Sequence, residues 1–248
     1  MSRRDLLRDP LLWLLPLLVF FSLGMKLLRP VFAWAFPGTV PPIYADDTFL
    51  ALFLSHAALV AISSLIAALI GVGLGIVATR RWGAEFRPLL EALATIGQTF
   101  PPVAVLALAV PAFGYGPLPT MIALTLYGIL PILKNTLAGL AGVPDSVRDA
   151  GTGMGLTRFE LLRDVELPLA APTILAGIRI AVIINIGTAA IGSTVGAVTL
   201  GNPIIGGLVT GKVSYVIQGA LVVGLFAIVT DLLFERLDRR LRRFAARD

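Results

Sequence analysis

The chain of 248 residues contains no cysteine and a single histidine, His56. Disulfides and thiolate metal sites are therefore impossible, and no site that needs several imidazoles is available. Charge is scarce too: 14% of residues are Asp, Glu, Lys or Arg, against about a quarter in soluble domains. Aromatic residues are few and scattered, so nothing in the pattern suggests an aromatic cage for a cation.

What is abundant is apolar. Hydrophobic residues make up 57% of the chain and the mean hydropathy is +0.90, so a soluble fold is ruled out. The apolar runs recur too often for one buried core. Several approach the ~20 residues that carry a helix across a bilayer. They are continuous and rich in Leu, Ala, Ile and Gly, whereas a membrane barrel needs short alternating segments. The fold class expected is an all-α polytopic membrane protein with six transmembrane helices, at 11 to 28, 49 to 79, 88 to 111, 118 to 140, 171 to 198 and 214 to 234. No linker interrupts the chain, which reads as one transmembrane domain, 1–248. Its parts are a first span and external loop at 1–48, a five-span core at 49–234 with a polar loop at 141–170, and a basic tail at 235–248.

Lysine and arginine fix the orientation. Alternate gaps and tails hold fifteen of them; on the other side stand three, Arg29 and Lys212 in gaps and Lys26 at the end of the first span. Positive charge accumulates on the cytoplasmic side, so both termini and the loop at 141–170 are expected there. Because these charges flank apolar runs, the net charge of +5 reports membrane topology, and nucleic acid is no partner. The N-terminal SRRDLLR, a following apolar run and Ala33 to Ala35 also fit a cleaved signal, but the run is long for one and cleavage would leave an odd span count.

Against this background the stretch DAGTGMGLTRFELLRDVELP, Asp149 to Pro168, is unusual in carrying charge and glycine. A first short helix is expected to begin at an N-cap near Asp145 or Ser146, with Val147, Ala150 and Met154 on one face. Gly151, Gly153 and Gly155 then loosen the chain. Thr157 followed by Glu160 forms a capping box for a second helix, with Phe159, Leu162 and Val165 sharing a face, expected to stop before Pro168.

The spacing in this loop is Asp149-Ala150-Gly151, three residues, Gly155, nine residues, Val165, one residue, Leu167-Pro168. It resembles the EAA loop of binding-protein-dependent ABC importer permeases, written EAA, three residues, G, nine residues, I, one residue, LP. Every interval is kept, while Asp149, Gly151 and Val165 replace Glu, Ala and Ile. The resemblance implies a type I importer fold and a loop that docks into a cytoplasmic ATPase through Asp149, Ala150, Gly151, Gly155, Val165, Leu167 and Pro168. It also implies that this chain hydrolyses no ATP itself and needs no cofactor.

Two longer segments, from Ile96 to Leu140 and from Glu166 to Leu208, resemble osmoprotectant permeases, most closely the low-affinity glycine-betaine uptake type. That resemblance implies import of glycine betaine, choline or a related quaternary amine across the cytoplasmic (inner) membrane of a bacterium. The partners implied are ATPase subunits, an external substrate-binding protein, and a second permease chain, as homodimer or sibling heterodimer. Two other readings are a permease of this kind for a different small polar solute, and an ion-driven secondary transporter; the latter calls for repeated halves and paired mid-membrane charges, which are absent from the pattern.

Other polar residues compete for roles. GGLVTGKV, Gly206 to Val213, imitates a phosphate loop but ends in Val213 where Ser or Thr belongs. His56 is expected to hydrogen-bond between helices, with a His56 and Ser193 dyad as the lesser reading. Lys134 is expected to pair with Glu91. Gln98, Thr99, Pro101 and Pro102 break the third run, and Asn185, Thr188 and Ser193 lie in the fifth. These seven are the candidate pathway lining, with close packing of small residues as the competing explanation.

Overall fold

The computed structural model describes residues 9–80 and 83–245. The basic stretch at 2–8, Arg81 and the last three residues of the basic tail, all used in the charge count, lie outside the described residues. Secondary structure among the described residues is helical throughout.

Five helices are long and apolar enough to cross a membrane: α1 (Leu11–Ala35), α2 (Phe49–Thr79), α5 (Pro117–Ala141), the run Arg158–Val195, and one reaching Leu241 from Val213. A sixth span results if the broken pair α3 (Arg87–Thr99) and α4 (Pro102–Phe113) counts as one. The span expected at 88 to 111 is interrupted at the double proline, where the sequence places the break. Phe100 and Pro101 are extended, with ψ of 130° and 138°, because a proline disfavours helical geometry at the residue before it. Pro102 then sits at the start of α4, where its missing N–H costs no hydrogen bond. Between α5 and the run Arg158–Val195 lies α6 (Asp145–Gly153). The run's longest α-helical part is α7 (Leu167–Ala189), followed by 3-10 turns to Val195, then α8 (Gly201–Thr210) and α9 (Val213–Ala245).

The described chain divides into two compact units assembled from interleaved segments. The first comprises residues up to Ser63, Pro101–Leu124 and Ile183–Leu233. Its largest core joins Leu18, Met25, Phe32, Phe49, Leu52 and Val222. Here Gly201 lies so close to the Ala190 carbonyl that a Cβ would stand 1.8 Å from its oxygen. The loop at 36–48 is held by side chains of α9: Gln218 donates to Pro42 O at 2.8 Å and accepts from Tyr44 N at 3.0 Å, and Tyr215 Oη donates to Pro41 O at 3.0 Å.

The second unit comprises Ser64–Phe100, Thr125–Val182 and the chain from Phe234. Its apolar centres lie around Ala67, Ile132 and Ala181, around Ala78, Leu133 and Leu137, and around Leu140, Ala170 and Ile174. Gly71 and Gly75, one helical turn apart on α2, let α5 approach: a Cβ there would lie 2.9 Å from Ile132 and 2.5 Å from Thr136.

Candidate functional site

The polar loop lies wholly in the second unit. Its first helix starts at Asp145, but the N-cap is Pro144 and no side chain caps it. Asp145 instead occupies the first turn, where an acid complements the helix dipole, and accepts from Arg148 at 2.9 Å. Gly151 and Gly153 remain helical; the reversal falls on Gly155 alone, at φ +85°. Only there does the backbone require glycine's freedom.

The capping box is present. Glu160 N donates to Thr157 Oγ1 at 3.3 Å, while Glu160 Oε2 accepts from Thr157 Oγ1 at 2.6 Å and from Thr157 N at 2.8 Å. The hydroxyl first, and then the backbone N–H, hold the Glu160 carboxyl below its ordinary range. Contrary to expectation, the second helix does not stop before Pro168. A π-turn at Leu161–Glu166 carries it into α7. The wide turn interrupts the regular ladder next to the one residue that has no N–H to contribute to it.

That π-turn turns Glu166 inward, leaving it 4% exposed. Its Oε2 accepts from Arg80 Nη2 at 2.7 Å and its Oε1 from Arg148 Nε at 2.9 Å. Arg148 also donates to the Leu140 carbonyl. Burial works against the charged guanidinium of Arg148, but Glu166 and then Asp145 outweigh it and raise its pKa. Beside the cluster opens a cleft of about 1010 Å³, lined by Arg80, Arg87, Arg148, Arg158 and Glu166 among others.

The outer surface of the loop is different. Asp149, Ala150, Gly155 and Pro168 are exposed, Val165 and Leu167 half-buried, and Gly151 buried against Leu161. Met154 and Phe159 are 76% and 68% exposed, while Val147, Leu162 and Val165, expected to share their faces, are half-buried. Both are large apolar side chains left in the open next to charge.

The remaining candidates separate. Gln98 Nε2 donates to Tyr127 O at 2.9 Å, and exposed Thr99 bonds back to Ile96 O. Pro101 is exposed and Pro102 half-buried; Thr188 and Ser193 are half-buried, and Ser193 donates to Ala190 O at 2.9 Å. Asn185 is fully buried inside the first unit. Gly192 touches Thr120 so closely that a Cβ would lie 2.6 Å from it, which supports close packing at that position.

His56 is saturated by backbone: Nδ1 accepts from Leu200 N at 3.2 Å, so the proton sits on Nε2, 3.0 Å from Ile186 O. No dyad with Ser193 forms. Glu91 pairs with Arg87 at 2.9 Å and Lys134 stands exposed, so their expected pairing is absent. GGLVTGKV spans the end of α8, its capping Gly211 at φ +68°, and the start of α9, which is no phosphate loop.

These features define a helical membrane permease, and the chain belongs to the family of binding-protein-dependent transport system inner membrane components, matched over residues 71–243. It is 39% identical over 222 residues to the osmoprotectant import permease protein OsmY of Salmonella typhimurium, covering 89% of this chain and 93% of that protein. It is 40% identical over 187 residues to the choline transport system permease protein OpuBB of Bacillus subtilis, covering 75% and 85%. The fold resembles a chain of the inward-facing MetNI methionine ABC transporter, with a TM-score of 0.68 at 20% identity over 79% of this chain and 99% of that one. It also resembles a chain of a bacterial alginate ABC transporter, at 0.60 and 16% identity over 96% and 97%.

The chain is therefore the permease subunit of an ABC importer, a multi-pass protein of the inner membrane, and ATP hydrolysis belongs to a separate subunit. Membership implies an ATPase, a substrate-binding protein and a second permease chain as partners. Sequence reasoning missed Glu166 with its two arginines, and the Gly71 and Gly75 contact. The second had a signal in GVGLG; the first had none, because its members are far apart in sequence.

Proposed function

We propose that this permease imports a small osmoprotectant, glycine betaine, choline or a related quaternary amine, driven by an ATPase that docks on Asp149 to Pro168. The observation that carries the docking half is the exposed patch of Asp149, Ala150, Met154 and Phe159 on a loop whose inner side is pinned by buried charge. A short helix with an open apolar face and a flanking charge suits a partner's groove. The substrate class rests on the relatives, osmoprotectant and choline permeases at 39% and 40% identity. The charge bias supports both termini and the docking loop on the cytoplasmic side. Pairing with an identical or a sibling chain completes the assembly.

Cells carrying or lacking the complete transporter are compared for uptake of labelled betaine and choline. Uptake of at least one is expected only with the transporter. Gly155→Leu is expected to abolish it while the chain still inserts, because φ +85° strains any side chain. Transport of neither compound by the intact system refutes the substrate, and normal uptake by Gly155→Leu refutes the role of the loop.

The pathway lining is proposed for Gln98 and Thr99 in the second unit, and for Pro101, Pro102, Thr188 and Ser193 in the first. A proline-broken backbone inside hydrocarbon needs protein or hydrated surroundings, and the hydroxyls, although bonded back to Ile96 O and Ala190 O, add polar surface beside the break. In this cysteine-free chain, Thr99→Cys and Ser193→Cys are expected to react with a small water-soluble thiol reagent and thereby slow uptake, while Leu65→Cys stays silent. Unreactive Thr99→Cys and Ser193→Cys through ATP turnover would make these residues packing groups.

A further inference from the structure

The docking helix α6 is held to its unit in an unusual way. Gly151 is the only residue of α6 that is buried, so apolar contact contributes little. The firm attachment is Arg148, in the middle of the helix, whose guanidinium reaches Glu166 Oε1 at 2.9 Å and the Leu140 carbonyl at the end of α5. Glu166 in turn spends its other oxygen on Arg80 at 2.7 Å. Arg80 follows directly on the last residue of α2, and its guanidinium also donates to Thr79 Oγ1 there, at 3.2 Å from Nη2. Glu166 itself is the residue before α7 begins.

One carboxylate therefore joins three separate segments: the docking helix, the end of α2 and the start of α7. Its two oxygens are divided between two guanidiniums, so neither arginine is gripped by both and each depends on the same acid. A carboxylate 4% exposed cannot exchange these partners for water. Movement of Arg148 must either drag Glu166, and with it Arg80, or uncover a buried charge. An apolar contact would allow α6 to slide; a shared buried charge resists it.

We propose that Glu166 is a positioning residue that transmits displacement of the docking helix Asp145–Gly153 to the adjoining ends of Phe49–Thr79 and Leu167–Ala189, by holding Arg148 and Arg80 on its two oxygens. This rests on the reading that the loop docks an ATPase. A merely structural role for Glu166 would lower stability and leave the yield of transport per ATP unchanged.

The test uses the complete transporter, with its ATPase and binding protein, in proteoliposomes. Glu166→Gln keeps the shape and removes the charge. ATPase subunits are expected to copurify at the normal ratio and to hydrolyse ATP within about twofold of the unaltered complex, while uptake per ATP falls about tenfold, within the range of coupling changes seen for non-contacting residues. Arg80→Gln, altered at a side chain that is 26% exposed and so tolerant of substitution, is expected to give a smaller loss of the same kind, because Arg148 keeps its bond to Glu166. The double variant should be no worse than Glu166→Gln alone, because that substitution already removes the ion pair that Arg80→Gln removes.

Unchanged uptake per ATP in Arg80→Gln or Glu166→Gln overturns the proposal. So does a parallel loss of hydrolysis and uptake, or loss of the ATPase on purification, since Glu166 would then serve assembly. Asp149→Arg, on the exposed side of α6, separates the two readings. It is expected to release the ATPase, and if it leaves the ATPase bound and uptake normal, the docking reading falls whatever the result at Glu166.

Discussion

Two polar fastenings in this chain use opposite chemistry. In the first unit the loop at 36–48 is tied to α9 by neutral groups, Gln218, Ser214 and Tyr215, bonding to backbone at Pro41, Pro42 and Tyr44, with one partly exposed cation beside them, Lys212, donating to Val40 O at 3.1 Å. In the second unit the docking loop is tied by a carboxylate between two arginines. Burial explains the choice. Gln218 is 0% exposed, where an ion would forfeit its hydration, and a neutral amide with both ends bonded is the cheaper solution. The arginines keep 26% and 27% of their side chains in the open, so water shares the cost of their charge. The neutral fastening simply holds a loop in place. The charged one is suited to carry force, because its members cannot be parted without leaving the buried Glu166 carboxylate short of a partner.

The comparison breaks most sharply if the two loops lie on the same side of the membrane. Gly38 has open space around it and Thr157 is exposed, so each accepts a cysteine without crowding. Gly38→Cys is expected to react with an impermeant external reagent in whole cells and Thr157→Cys only after lysis. External labelling of Thr157→Cys would overturn the orientation on which both roles depend.

A smaller effect distinguishes the fastenings by strength. Arg148→Ala leaves Glu166 with one partner in a site 5% exposed, and is expected to cost about 2 kcal/mol, less than the ~3–5 kcal/mol of a fully buried pair because Arg148 is partly solvated. Thermal unfolding in detergent measures this, and a loss that shrinks in high salt would support a charge effect. A change within error would show that Arg80 alone satisfies Glu166.

Smaller still, Gln218→Leu strands the Tyr44 amide but leaves Ser214 donating to Pro42 O at 3.1 Å, so about 1 kcal/mol is expected. This loss should be insensitive to salt. If it follows ionic strength as Arg148→Ala does, the contrast between neutral and charged fastening is wrong.

Much of the molecule was legible from residue order. Apolar runs of spanning length gave the helices, since hydrocarbon permits few alternatives to a backbone that bonds within itself. The third run was readable as broken because Pro101 and Pro102 act on their immediate neighbours. Thr157 and Glu160 were readable as a cap because their partners are three residues apart. Failures came where local rules competed. Asp145 has the chemistry of a cap, but Arg148 three residues on engages its carboxylate. Pro168 signals a stop, but the π-turn before it removes the conflict and lets the helix continue.

Sequence alone determined what bonds along a few residues or repeats with a helix's period: the all-helical membrane fold, the position of its proline break, the charge bias between alternate gaps, and the spacing within the polar loop. Tertiary structure decided which charges meet. Arg80 and Glu166 are 86 positions apart, and in the sequence Arg80 and Arg148 are indistinguishable from the other cations that flank the apolar runs. The extra residue of the π-turn rotates Glu166 by about 100° from the face an α-helix would give it. That rotation, and the approach of α2 to the turn, depend on how whole helices pack, which no short stretch of sequence contains.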